Sequence, residues 1–163
     1  SYKYYGTYQQ LAETIKKYSS APMLDVQRFW EVVLFSWITG NSDMHCKNFS
    51  LVDTGNGEYA LAPAYDLLAV LLADPHDTEE MAMSFTVGGD KSGFDRNNFM
   101  NAFTQSGIPA AVADKMIERM KGHLPIWKTL ISQSFLPENM KTEYCSLLAK
   151  RIALLSVTGR VLP

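Results

Sequence analysis

The chain has 163 residues, a formal net charge of -2, 47% apolar and 20% charged residues, which is an ordinary globular composition with length enough for a core. No basic stripe marks a nucleic-acid surface, the most apolar run (26–38) is too short for a membrane span and carries Arg28 and Glu31, and no charged leader with an apolar core opens the chain. The two cysteines, Cys46 and Cys145, form no disulfide or metal pattern, so a reducing cytoplasm is the expected compartment.

In chain order, Tyr2, Tyr4, Tyr5 and Tyr8 make an aromatic start. Thr7 is placed to cap a helix whose apolar face holds Leu11, Ala12, Ile15 and Tyr18. Ser19 to Pro22 breaks it. Asp25 or a near neighbour opens a second helix that Gly40 ends. This helix is apolar nearly all round, so it should be buried on more than one side. A strand is expected at 49–52, a turn at 53–57, a second strand at 58–62 and a short helix at 67–73. A polar loop follows at 74–80. Residues 81–87 alternate weakly and suggest a further strand, turned at Gly88-Gly89-Asp90-Lys91. That turn lacks the G-x-G-x-x-G order of a phosphate cradle.

The remainder is helical. Asp95 caps a helix with Phe99, Ala102 and Phe103 on one face and Gly107 as its stop. Pro109 starts another, with Val112, Met116, Ile117 and Met120. Pro125 restarts the run, and Ile126, Trp127, Leu130 and Ile131 carry its apolar stripe on. Pro137 opens the last helix, with Met140, Tyr144, Leu147, Leu148, Ile152 and Leu155. The fold class is α+β and mainly helical, with a small β-hairpin region beside one polar loop. One domain accounts for residues 1–163.

That polar loop is the segment that carries chemistry. Between the apolar helix and the first strand, the sequence crowds Asp43, His45, Lys47 and Asn48 into six residues. Desolvating so many polar groups is costly unless they serve a purpose. Asp43 and Asn48 stand as D-x-x-x-x-N. This is the interval of a kinase catalytic loop, in which the Asp handles the acceptor hydroxyl and the Asn holds magnesium. Asp66 follows the second strand, the order in which a kinase brings up its second metal-binding carboxylate. One carboxylate and one amide oxygen, completed by nucleotide phosphates and water, suit Mg²⁺.

The strings GNSDMHCKNFSL (40–51) and LAPAYDLL (61–68) resemble the C-terminal lobe of the HipA-like serine/threonine kinases, the toxins of bacterial toxin–antitoxin pairs. MAMSFTVGG (81–89) and FDRNNF (94–99) extend the resemblance over roughly residues 25 to 110. It implies a protein-kinase-like C-terminal lobe. In that lobe Asp43 is the catalytic aspartate, and Asn48 and Asp66 bind the metal and the ATP phosphates. His45 and Lys47 match loop positions with orienting and phosphate-facing roles. It also implies ATP and Mg²⁺ as cofactors, a protein substrate of which aminoacyl-tRNA synthetases are the family's best-known examples, and a helix-turn-helix antitoxin as partner.

The phosphate-covering loop and ATP-anchoring lysine that a kinase needs have no match here; Lys3, Lys16 and Lys17 sit in poor contexts. The chain, which begins at Ser1, therefore reads as a C-lobe whose N-terminal ATP-anchoring lobe is absent, weak or inactive alone. Two other classes compete: a non-catalytic kinase-fold interaction module, and a kinase-like small-molecule phosphotransferase. Plainer roles compete too. Asp66 could cap the helix expected at Leu67, Asn48 could be a turn residue, His45 a structural hydrogen-bond partner and Lys47 a solvated side chain. Cys46 and the tryptophans Trp30, Trp37 and Trp127 read as packing, His76 and His123 carry no functional reading, and Tyr65 packs beside Asp66.

Overall fold

A computed structural model describes residues 5–74 and 77–156. Tyr2, Tyr4, Lys3 and His76 of the sequence reading lie outside the described residues. The fold is mostly helical with one two-stranded antiparallel sheet: α1 (Tyr8–Tyr18), α2 (Pro22–Thr39), β1 (Leu51–Gly55), β2 (Glu58–Leu61), α3 (Val70–Ala73), α4 (Arg96–Gln105), α5 (Ala110–Gly122), α6 (Leu124–Gln133) and α7 (Glu138–Leu154).

Helix α2 is the axis on which the rest is packed: α1, α4, α7 and β2 all lie against it. Val26, Phe29, Trp30, Val33, Leu34, Trp37 and Ile38 are fully buried, which matches the all-round apolar sequence. An aromatic cluster fills the space between α2 and α4. Trp30 meets Phe85 edge-on at 5.6 Å, and Phe85 stacks on Phe94 at 4.4 Å, geometries that aromatic quadrupoles favour. The buried indoles keep their donors satisfied: Trp30 Nε1–H donates to Ser106 Oγ at 2.8 Å and Trp37 Nε1–H to Glu80 Oε2 at 2.9 Å. Arg151 of α7 stands 4.7 Å over the Trp37 ring and pairs with Glu80 at 2.6 Å.

Local signals explain the element starts. Thr7 caps α1 with a reciprocal bond to Gln10, and Asp95 caps α4 in the same way with Asn98. Helix α2 begins at Pro22, three residues ahead of the expected Asp25, because proline fits the first turn. Asp25 is buried and has another task. Its Oδ2 accepts from Ser19 Oγ at 2.7 Å and from the Leu61 amide at 2.8 Å, so it hangs the hairpin on α2.

The hairpin pairs Leu51 with Leu61 and Asp53 with Tyr59, with a bulge before Gly55. Strand β1 starts two residues later than expected; Phe49 instead turns its ring into the core, 4.7 Å from Phe29. Residues 81–87 form no strand. Met81, Ala82, Met83 and Phe85 are all buried, and a pleated strand would send neighbours to opposite faces. The segment bends through the core, with Ser84 O and Phe85 O accepting from the Tyr8 and Gln9 amides at 3.1 Å each. Helix α3 is shorter than expected, and Leu67 and Leu68 are exposed. The stripe on α6 is also less buried than its sequence suggests: Ile131 is buried, whereas Ile126 and Leu130 face outward.

Candidate active site

Helix α2 ends in a left-handed Gly40, φ 79°. The left-handed backbone favours glycine there, and a Cβ would come within 2.7 Å of Leu147 Cδ2, so that side chain would have to move. The chain then enters the polar loop, which is anchored from several sides. The buried Ser42 donates from Oγ to Asp77 Oδ2 at 2.5 Å. Met44 is wholly buried, and its carbonyl accepts from the Tyr8 hydroxyl at 2.5 Å. Burial, reinforced by the negative charge of Asp43, pushes the Tyr8 phenol far above its ordinary pKa, so it stays a neutral donor. Asp43 sits between these two anchors with its side chain 44% exposed.

The second half of the loop is a single 3-10 turn, Cys46–Asn48. The His45 amide donates to Asn48 Oδ1 at 2.9 Å, and the Asn48 amide donates back to the His45 carbonyl at 3.0 Å. His45 is buried, its Nε2 3.9 Å from Asp43 Oδ2. Asn48, also buried, donates from Nδ2 to Asp66 Oδ2 at 2.5 Å. Asp66 adopts a left-handed backbone, φ 57°, and its carbonyl accepts from Asn41 Nδ2 at 3.1 Å. Tyr65 donates its hydroxyl to the Lys47 carbonyl at 2.9 Å and shares a hydrogen bond with Ser50 Oγ. Three separate bonds therefore tie residues 65–66 to the loop at 41–48.

Of the five candidate residues, Asp43 and His45 are neighbours at one end of the loop, and Asn48 and Asp66 touch at the other. Lys47 is exposed and joins the assembly through its carbonyl. Asp66 is not the cap of α3, which starts at Val70 behind Ala69. Asp43 lines a cleft of about 520 Å³ together with Ser42, Leu68, Asp77, Glu79 and Lys91; Asp66 stands outside that lining, on the side of Asn48. Tyr65 pins the loop by hydrogen bonds, with its ring 40% exposed, rather than by packing.

The donor set is compatible with magnesium. Asn48 and Asp66 offer only hard oxygens, and the Asn48 carbonyl oxygen keeps a second lone pair beyond its bond to His45. Among the described residues no group of three or more His, Cys, Asp or Glu is gathered to hold a metal ion. The pair thus suits an ion that brings water and phosphate oxygens with it.

Sequence reasoning missed Asn41, Ser42, Asp77 and Tyr8, which hold the loop in place. Asn41 and Ser42 are polar residues directly beside the expected core helix, which is a usable signal. Nothing local in the sequence marks Tyr8 or Asp77 as partners of residues about 35 positions away.

The chain belongs to the family of HipA-like C-terminal domains, whose family model matches residues 1–127. A putative kinase of Haemophilus influenzae is 25% identical over 176 residues, covering 94% of this chain and 49% of that protein. A putative kinase of Sinorhizobium fredii is 35% identical over 77 residues, 47% of this chain and 18% of the relative. The chain thus spans about half the length of the first relative or less. Among solved structures, HipA of the Shewanella oneidensis MR-1 toxin–antitoxin system, in complex with HipB and operator DNA, matches with a TM-score of 0.75 and 21% identity. The match covers 92% of this chain and 36% of that one, and at this identity it shows a shared fold. No helix among the described residues is long and apolar enough to cross a membrane.

Proposed function

We propose that this chain is the catalytic lobe of a HipA-like serine/threonine protein kinase, which moves the γ-phosphoryl group of ATP to a protein hydroxyl as the toxin of a toxin–antitoxin pair. The observation that carries the reading is the direct Asn48–Asp66 contact at 2.5 Å. It joins two loops that a kinase must bring together and leaves Asp43 partly open at the far end of the same loop.

In this reading Asp43 orients the acceptor hydroxyl and takes its proton as the new O–P bond forms and the bond to the β-phosphate oxygen breaks. Asn48 and Asp66 hold Mg²⁺, which neutralises charge on the phosphates when bound. His45 keeps the Asp43 carboxylate in place from its buried position. Lys47, on the exposed side of the loop, adds positive charge toward the nucleotide. Tyr8 and Asp77 fix the loop's backbone, a positioning role. The β-rich lobe with its phosphate-covering loop and ATP-anchoring lysine lies outside these 163 residues in this scheme. A protein substrate such as an aminoacyl-tRNA synthetase, a helix-turn-helix antitoxin and a cytoplasmic setting belong to the same proposal.

Titration of the chain with Mg-ATP, followed calorimetrically, tests the division of labour between lobes. Weak binding, with a Kd in the millimolar range or above, and negligible turnover are expected alone, with Mg²⁺-dependent phosphotransfer once the ATP-anchoring lobe of a longer homologue is supplied. Micromolar ATP affinity or clear turnover by this chain alone would contradict the split. Transfer that survives Asp43→Asn in the completed enzyme would contradict the catalytic assignment.

A further inference from the structure

A second cleft, of about 330 Å³, is formed between the start of α1, the 85–94 segment and α4. One segment, residues 82–94, contributes to both clefts: Ala82 and Lys91 line the Asp43 cleft, and Phe85, Asp90, Ser92 and Phe94 line the second. The second cleft is set apart by its carboxamides, Gln9, Asn98, Asn101 and Gln105. Asn98, Asn101 and Gln105 follow at intervals of three and four along α4, so they share one face. Asp90 is the only charged residue in the lining.

We infer that this cleft binds an extended, uncharged stretch of polypeptide and serves as the docking site for the protein substrate. A primary carboxamide donates and accepts at once, so it can pair with a peptide group without regard to side-chain sequence. The hydrogen-bonding capacity is free to do so. Asn101 and Gln105 are exposed, and their carboxamides make no hydrogen bond among the described residues. Asn98 spends its Oδ1 on the Asp95 amide at 2.9 Å and keeps its NH₂ donors. Gln9 Oε1 is buried without a donor, a loss that is relieved when the amide turns to meet a ligand N–H.

Spacing agrees with an extended chain. Asn98 and Gln105 are separated along the helix by about 10.5 Å at the usual rise, the reach of about three extended residues. Across the cleft, Gly93 has open space where a Cβ would stand, so backbone is presented there without a side chain. The lining has no cation to receive a phosphate, and Asp90 repels one, which separates this cleft from the nucleotide site. The link to the catalytic loop is through Tyr8, next to Gln9, whose hydroxyl donates to the Met44 carbonyl.

This inference rests on the protein-kinase reading for its purpose, but its test does not need turnover. The ¹⁵N spectrum of the chain is recorded with three probes in turn: a capped, uncharged Ala-Ser-Ala nonapeptide, adenosine, and a neutral disaccharide. The expected result is that the peptide alone shifts the side-chain amides of Gln9, Asn101 and Gln105. The Asn101→Ala/Gln105→Ala double variant, altered at two exposed helix positions and folded as judged by its spectrum, should bind it at least ~10-fold more weakly. Shifts from adenosine or the disaccharide in place of the peptide overturn the inference, as does silence from all three. In the completed enzyme the same double variant should raise KM for the protein substrate with kcat unchanged. An unchanged KM overturns docking and leaves the kinase reading intact; peptide binding without any phosphotransfer does the reverse.

Discussion

Replacing Asp25 with alanine tests the claim that one buried carboxylate hangs the hairpin, and with it the approach to Asp66, on helix α2. Asp25 is 1% exposed. Its Oδ2 accepts from the Ser19 hydroxyl at 2.7 Å and from the Leu61 amide at 2.8 Å, and Oδ1 stands 3.5 Å from Arg28. Hydrogen bonds to a charged acceptor contribute about 1.5–3 kcal/mol each. The Arg28 pair is solvent-facing and adds less than about 1 kcal/mol. Removing the carboxylate also removes its own desolvation cost, so the net loss is set at about 3 kcal/mol. For a domain of this length that lowers Tm by roughly 6–12 °C. Thermal melts followed by circular dichroism measure it. Hydrogen exchange locates it, since the Leu61 amide should lose protection while the α4 and α5 amides keep theirs. Asp25→Asn retains one neutral acceptor and should lose about half as much. A drop below about 3 °C for Asp25→Ala, or equal losses for both variants, would show that the hairpin is held by its own pairing and by the Ser20–Tyr59 bonds.

Other outcomes follow from the same contacts. Burial alone would raise the Glu80 carboxyl, but the Trp37 indole and Arg151 hold it below its ordinary range. A depressed acid stabilises above its unfolded pKa and loses that contribution as pH falls, so Tm should decline below about pH 4.5, more steeply than in Glu80→Gln. Gly40→Ala meets Leu147 at 2.7 Å and a left-handed backbone, and should lose about 2–4 kcal/mol in a denaturant titration. In the completed kinase, Asp43→Asn and Asp66→Asn should each cut phosphotransfer by about 10³-fold or more. Asp43→Asn should leave the melting curve nearly unmoved because its side chain is half open to solvent.

How far the sequence could be read depends on the range of the force that fixes each element. Helices α1, α4, α5 and α7 were legible because caps, prolines and 3.6-residue periodicity act within a few positions. Asp43, Asn48 and Asp66 stand out in the sequence because the whole strings around them, 40–51 and 61–68, resemble a known family; the D-x-x-x-x-N interval alone is common. Residues 81–87 resemble a strand in sequence because weak alternation is a local cue. Their burial on successive residues is decided by distant aromatics, Tyr8, Trp30 and Phe99 among them. Asp25 looks like a helix opener in sequence because its partner Leu61 lies 36 residues on.

Asp66 shows where local preference and global structure part. A left-handed backbone costs a residue with a β-carbon about 1–2 kcal/mol, less for Asp than for most. That cost persists because the residue is gripped twice, at its carbonyl by Asn41 and at its carboxylate by Asn48. Neither grip suits a cap or a plain turn, since both come from the loop that carries Asp43. The two readings diverge on substitution. If strain at residue 66 is only a feature of the chain's path, Asp66→Gly should relieve it and raise stability. If the carboxylate-to-Asn48 bond sustains the conformation, Asp66→Gly gains about 1 kcal/mol of relief and loses a charged hydrogen bond of about 1.5–3 kcal/mol. The variant should then melt lower than the wild type, and Asp66→Ala, which keeps the strain and loses the bond, lower still.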